Sequence, residues 1–317
     1  MLRHPAHGNG LFIALSLSFF VACSGDPEPG PSGFTLAFAA KADGADVGCD
    51  SELDALGPKR EHRVRLADLR FYVSNLQFSD REGRAVALEL DENDYQYTGK
   101  AGSVALIDVT GTDAGSCAGN AVAFAEGTAR TNLAVTGRAL VESVSAISFD
   151  VGVPQALMRE VIGSHSAESA PSPLNEMQWT WATGYRHFVL NFSVEDGSGE
   201  TGDGYAHVGS RDCGPADGLA LEDRDECRFV NTPRVSLTDF DLARDRVALE
   251  LPKLLAGLDF VSNVYDPQTF EVLGEGPGVE CHSSPMQPDC ATLFGNLGLD
   301  AEDGSADAGR DRAFGKE

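Results

Sequence analysis

The feature that most restricts this chain is a period of two in its apolar residues. In FTLAFAAKAD, Phe34, Leu36 and Phe38 fall on one face. In LRFYVSNLQFSDREGRAVALEL, Leu69, Phe71 and Val73 alternate, a turn falls at DREG, and a second strand returns. GSVALIDV, VSAISFDVGV, RHFVLNFSVED, GYAHVGS and RVSLTDFD repeat the pattern between Gly-rich turns. Successive side chains of a strand point to opposite faces, so alternation of this kind marks half-buried strands. Helical candidates are few: PQALMREVIG, opened by Pro154, and LPKLLAGL, opened by Pro252. The expected fold is all-β, a single large two-layer β-sandwich-like domain with long loops and a few short helices. No linker interrupts residues 34–299, which are read as that one domain; residues 300–317 read as a disordered acidic tail.

The N-terminus reads as an export signal. Arg3, His4 and His7 precede the apolar run LFIALSLSFFVA, and Cys23 follows it. That run falls short of the ~20 apolar residues needed to cross a bilayer. Residues 1–22 are therefore expected to be a lipoprotein signal peptide, with Cys23 acylated. Residues 23–33, rich in Pro, Gly and acid, read as a tether. Contact with the membrane is expected only through that lipid anchor, in the periplasm or at the outer membrane.

Cys49, Cys117, Cys213, Cys227, Cys281 and Cys290 remain in the mature chain. An even count in an exported protein implies disulfides. The close pairs Cys281–Cys290 and Cys213–Cys227 are the simplest local pairings, among about 15 that six cysteines allow. Cysteines held in disulfides are not metal ligands, so a soft-metal site here must use His, Met or a less usual group. The 24 basic and 49 acidic residues give a net charge of −25. Such a surface repels nucleic acid, which is excluded as a partner.

NEMQWTWATGYRHF holds Trp179 and Trp181, which are all the tryptophan in the chain. Read as a strand, MQWTW puts Met177, Trp179 and Trp181 on one face. An aromatic ridge in the core is one reading of that face. Three histidines bear on the other. His207 lies on a strand that follows the tryptophan strand across a Gly-rich turn, as in a hairpin. His165 lies in the polar loop before the tryptophans, and His282 lies between Cys281 and Cys290 with Met286 nearby. His62, in KREHRVR, reads as a surface residue, and His187 shares a strand parity with the tryptophans. Two neutral imidazoles with a soft or aromatic third group suit Cu(I). Enzyme signatures are missing: there is no GxSxG, P-loop, HExxH or GxGxxG. The chain is not expected to be an enzyme.

Together these segments resemble the MbnP-like family, the four-Cys proteins of "metallo-mystery pair" systems. The resemblance runs through FAAKADGADVGCD, LADLRFYVSNLQF, a loop His before APSPLNEMQWTWATGY, HVGS…C and CHSSPMQPDCATLFGNLGL. It implies a periplasmic or outer-membrane β protein that binds copper and serves copper acquisition, storage or homeostasis. It also implies a partner, a MauG-like di-haem enzyme of the cytochrome c peroxidase type, which oxidises a tryptophan to kynurenine. Carried onto this chain, that tryptophan is Trp179 or Trp181. The metal ligands come from His207, His165 and the modified residue, with Met177 as a further candidate. The family's four cysteines match Cys49, Cys213, Cys281 and Cys290, so that Cys117 and Cys227 form a further pair or rearrange the set. The competing reading is a non-metal β-sandwich surface lipoprotein, with the tryptophans as a core ridge or a stacking platform for a glycan or protein partner.

Overall fold

The computed structural model describes residues 1, 30–49, 51–111, 117, 122, 130–166, 168–179, 184–213, 227–266, 268–269, 271–284, 287–307 and 309–317. Residues 2–29, which hold Cys23 and the rest of the expected signal peptide, lie outside the described residues, as do Trp181 and Met286. Pro31–Glu317 forms one compact unit, and no helix among the described residues is long and apolar enough to cross a membrane.

Two stacked sheets carry the fold. The smaller contains β1 (Ser32–Ala42), β2 (Ala45–Val47), β6 (Leu88–Leu90), β9 (Ala134–Ala139), β15 (Val247–Glu250) and β19 (Phe314–Lys316). The larger is built on β4 (His62–Ser79), flanked by β10 (Ala146–Val151) and by the hairpin β12 (Gly184–Glu195) and β13 (Thr201–Gly209). Its other members are β3 (Glu52–Leu56), β5 (Ala85–Val86), β7 (Gln96–Gly99), β8 (Gly102–Asp108), β11 (Gln178–Trp179), β14 (Arg234–Thr238) and β18 (Val279–His282). A separate hairpin joins β16 (Val261–Tyr265) to β17 (Val272–Pro277), and the helices are α1 (Gln155–Ile162), α2 (Leu251–Leu254) and α3 (Pro288–Asn296). The all-β, two-layer expectation holds, and both expected helices form. Among the described residues, α3 is a helix that the sequence pattern does not predict. Its apolar run after Cys290 is short, and its N-terminal Pro288 sits where a missing N–H is tolerated.

The period of two has a direct structural cause. Phe188, Leu190, Phe192 and Val194 of β12 face the main core, as do Ala206 and Val208 of β13. There they meet Phe34, Leu36 and Phe38 from the smaller sheet. The opposite face of the larger sheet is not left to solvent. Leu157, Met158 and Val161 of α1, with Leu174 and Met177 from the following loop, cover Tyr72, Val104, Leu106 and Val189. Burial of this second face makes a smaller apolar cluster away from the main core, where buried polar groups must find partners.

The six described cysteines are all paired, as Cys49–Cys117, Cys213–Cys227 and Cys281–Cys290. The two local pairings are those expected from spacing; Cys117 and Cys227 do not pair with each other. Three disulfides fit an exported protein.

Three expectations are corrected. The segment after residue 299 is not a disordered tail: β19 pairs antiparallel with β15, Ala313 and Phe314 are buried, and Phe314 packs against Phe71 and Phe149. The acidic composition of residues 300–309 hid a short apolar anchor beyond it. His62 is buried rather than a surface residue, stacked on Phe260 with ring centroids 5.5 Å apart. Finally, the hairpin partner of the His207 strand is β12, and the tryptophan strand β11 is a separate two-residue strand on the start of β12.

Candidate metal centre

Strand register assembles the site. β13 and β18 run parallel, with Tyr205 opposite Glu280 and His207 opposite His282. In a parallel pair these residues share a face, so both imidazoles emerge on the covered side of the large sheet, whereas Ala206 and Cys281 turn into the main core. On the other side of β13, β12 places Val189 opposite His207 and Asn191 opposite Tyr205.

Edge strand β18 is pinned from its outer side. The Cys281–Cys290 disulfide ties it to α3. The Glu280 and His282 backbone N–H groups donate to the side chains of Asp289 and Gln287, at 2.7 Å each. Ser283 Oγ accepts from Gly209 N–H and donates to the His207 carbonyl, both at 2.7 Å, closing the end of the ladder.

The two histidines meet through their Nδ1 atoms, 3.1 Å apart. On the far edge of His207, Nε2 lies 2.7 Å from Asn191 Oδ1. The amide oxygen is an acceptor, so Nε2 carries the proton and Nδ1 of His207 presents its lone pair to His282. His207 is buried, and burial first, then the neighbouring His282, Arg186 and Arg70, holds it well below the usual imidazole range. His282 is pushed down to about 4, again by burial first and then by the Arg186 and Arg211 charges. Both rings are therefore neutral near pH 7, the form that ligates metals.

Trp179 closes the site. Its ring centroid is 6.5 Å from that of His207 and 6.5 Å from that of His282. At 4% exposure it offers no open platform for a sugar or peptide. Two devices hold it there. Trp179 pairs with Gly184, at which a Cβ would come 2.3 Å from Ser210 Oγ and 3.1 Å from Cys213 Sγ, so the glycine permits the close approach. In the preceding turn, Glu176 is gripped by Arg130 and Arg70, and Arg70 makes a buried two-pronged pair with Asp68 at 2.8 and 2.7 Å. Tyr205 completes the cluster, stacked on His282 with ring centroids 4.2 Å apart.

His165, Met177 and His187 fall elsewhere. His165 is exposed in the loop after α1, where its backbone N–H donates to the Val161 carbonyl. Among the described residues no ring contact or hydrogen bond joins it to Trp179 or His207. Met177 is fully buried in the apolar cluster that covers the sheet. His187, also buried, has its Nδ1 3.1 Å from the Asn231 carbonyl, and burial pushes it down to about 4. His282 was noted in the sequence without being placed among the ligands. The signal for it was the disulfide beside it, which fixes a strand edge, but the parallel pairing with His207 has no local trace in the sequence.

The donor set fits a soft monovalent cation. Two neutral imidazoles meet here, with His282 Nδ1–H donating to the His207 Nδ1 lone pair, and a cation would take the place of that shared proton once His282 carries its own on Nε2. Among the described residues there is no group of three or more His, Cys, Asp or Glu side chains that could hold a metal ion. Such a pair suits an ion content with low coordination number, or one completed by a further group at the position of Trp179.

Fold and site thus define an all-β, disulfide-bonded protein with a pair of imidazoles, one buried and one half-buried, beneath an indole. A family model described as MbnP matches residues 31–275, and the chain belongs to the MbnP family. It is similar to the solved structure of MbnP from Methylosinus trichosporium, with 25% identity and a TM-score of 0.66 over 91% of this chain and 99% of that one. Comparison with curated proteins gave no match.

Proposed function

We propose that this chain is a copper-binding protein, held as a lipoprotein in the periplasm or at the outer membrane, and is itself the substrate of a di-haem oxidase rather than an enzyme. His207 and His282 would hold Cu(I), and the third donor would come from Trp179 after oxidation to kynurenine. The observation that carries this reading is the pairing of two neutral imidazoles through Nδ1 atoms 3.1 Å apart, under a buried indole equidistant from both rings.

The chemistry explains why the tryptophan must change. The lone pair of an indole nitrogen belongs to the aromatic system and is a poor donor. Opening the ring, with the net exchange of one carbon for one oxygen, leaves an aniline amine and a ketone in the same place. Asn191 fixes the His207 tautomer, and Trp179 and His207 are themselves buried. Copper acquisition, storage or homeostasis is the physiological setting that fits a site of this kind.

Cu(I) titration of protein made with and without the oxidase tests the reading. Tight binding by the modified chain, lost in His207→Ala and in His282→Ala, supports it. Equal affinity in these variants and in His62→Ala would remove the ligand assignment.

A further inference from the structure

Trp179 is buried, so a haem in a second protein cannot touch the indole it is to oxidise. The route by which the electron leaves has a visible candidate. From Trp179 the rings of His282 and His207 lie at 6.5 Å, and Tyr205 stacks on His282 at 4.2 Å with an interplanar angle of 24°. Tyr205 also lies 5.7 Å from His207. Unlike the indole, Tyr205 is only partly buried. Its hydroxyl donates to Glu280 Oε1 at 2.7 Å, so a carboxylate stands ready at the phenolic proton. Imidazole is hard to oxidise, but phenol and indole are not, and here they sit at the outer and inner ends of one ring stack.

We propose that Tyr205 is the relay through which Trp179 is oxidised, with Glu280 as its proton acceptor. This rests on the reading that Trp179 is converted by a di-haem partner. The oxidant is a haem iron raised to a high-valent state by peroxide. Tyr205 gives it one electron and passes the phenolic proton to Glu280, leaving a neutral tyrosyl radical and a protonated carboxyl group. Trp179 then returns one electron to Tyr205, which takes its proton back from Glu280. Phenol and carboxylate are restored, the haem has been reduced by one electron, and Trp179 is left as a radical cation. The register that sets His207 opposite His282 is the same one that sets Tyr205 opposite Glu280, so a single ladder builds both the metal pair and the relay.

The test follows conversion over time with the chain, the di-haem oxidase and peroxide, by mass spectrometry of the peptide holding Trp179. Tyr205→Phe keeps the stacked ring but removes the readily oxidised phenol. Glu280→Gln keeps a hydrogen-bond acceptor that cannot take the proton. Both variants are expected to convert Trp179 about ten-fold more slowly or worse. The high-valent haem signal should persist correspondingly longer. Circular dichroism like that of wild type shows that the variants fold. A phenoxyl radical signal on reaction with peroxide, present in wild type and missing from Tyr205→Phe, separates relay from site structure. Conversion of Tyr205→Phe at the wild-type rate overturns the relay alone. Unchanged conversion in Glu280→Gln overturns the proton route. A wild-type chain that stays unconverted overturns the reading beneath the proposal, and the relay with it.

Discussion

His207 and His282, 75 residues apart in sequence, bring their Nδ1 atoms within 3.1 Å because β13 and β18 pair in parallel with these two residues in register. Asn191 makes the contact directional: by accepting the Nε2 proton of His207, it leaves the Nδ1 lone pair pointing into the site. Asn191→Leu removes that acceptor while keeping the volume. It is expected to weaken Cu(I) affinity about 10–100-fold, as loss of an outer hydrogen bond to a ligating histidine does. Competition titration against a Cu(I) chelator reads the change. The same titration should find His165→Ala unaltered, because His165 stands exposed outside the imidazole pair.

Gly184→Ala tests whether the position of Trp179 depends on the close approach at the start of β12. The added methyl would meet the buried Ser210 Oγ at 2.3 Å and the Cys213 sulfur at 3.1 Å, and neither is the free end of a flexible side chain. Overpacking of this kind costs about 1–3 kcal/mol. Urea unfolding should show the loss as a lower midpoint, and tryptophan fluorescence should report a wetter indole in the folded variant.

Phe314→Ala tests the corrected C-terminus. Phe314 is buried against Phe71 and Phe149, with ring centroids at 5.6 and 6.0 Å. Its truncation is expected to destabilise the fold by about 3 kcal/mol or more, the usual cost of deleting a buried phenyl ring. A disordered tail would tolerate the change without effect.

What the sequence disclosed, and what it hid, divides along the same line. Alternation along β1, β4 and β12 was legible, because each strand carries its own period of two. The pairing of Cys281 with Cys290 and of Cys213 with Cys227 was legible as short-range closure. Trp179 and His207 were singled out by residue type and by neighbours in the chain. By contrast, the parallel pairing that recruits His282 joins strands separated by most of the C-terminal third, and nothing local encodes it. Burial of His62 beneath Phe260 was hidden for the same reason, since a charged run around a histidine looks solvated until a distant loop covers it. Phe314 was masked by the acidic, Gly-rich stretch before it.

Asp311 gives a pH dependence of known sign. Burial pushes its carboxyl up to about 7, against the N–H groups of Ala313 and Phe314, which donate to Oδ1 and favour the charged form. The folded state therefore holds this proton more tightly than the unfolded chain does. The contribution to stability is full below about pH 4 and is lost as pH rises through 7. Between those limits Asp311→Asn should lose roughly 1–3 kcal/mol less than wild type, after allowance for partial exposure. Exposed carboxylates held low, such as Asp46 at about 2 beside Arg246 and Lys41, act in the opposite sense only below that window. Chemical denaturation of both proteins at pH 4.5 and pH 7.5 isolates the difference.

On the proposed reading, Trp179 becomes the third copper donor over the His207–His282 pair once it is opened to kynurenine. The most direct measurement is mass spectrometry and copper stoichiometry on the same preparations, made with and without an active di-haem oxidase. The peptide holding Trp179 is expected to exchange one carbon for one oxygen only when the oxidase is present, and tight Cu(I) binding is expected to appear with that change. An unmodified Trp179 in protein that binds copper equally well in both preparations would contradict it.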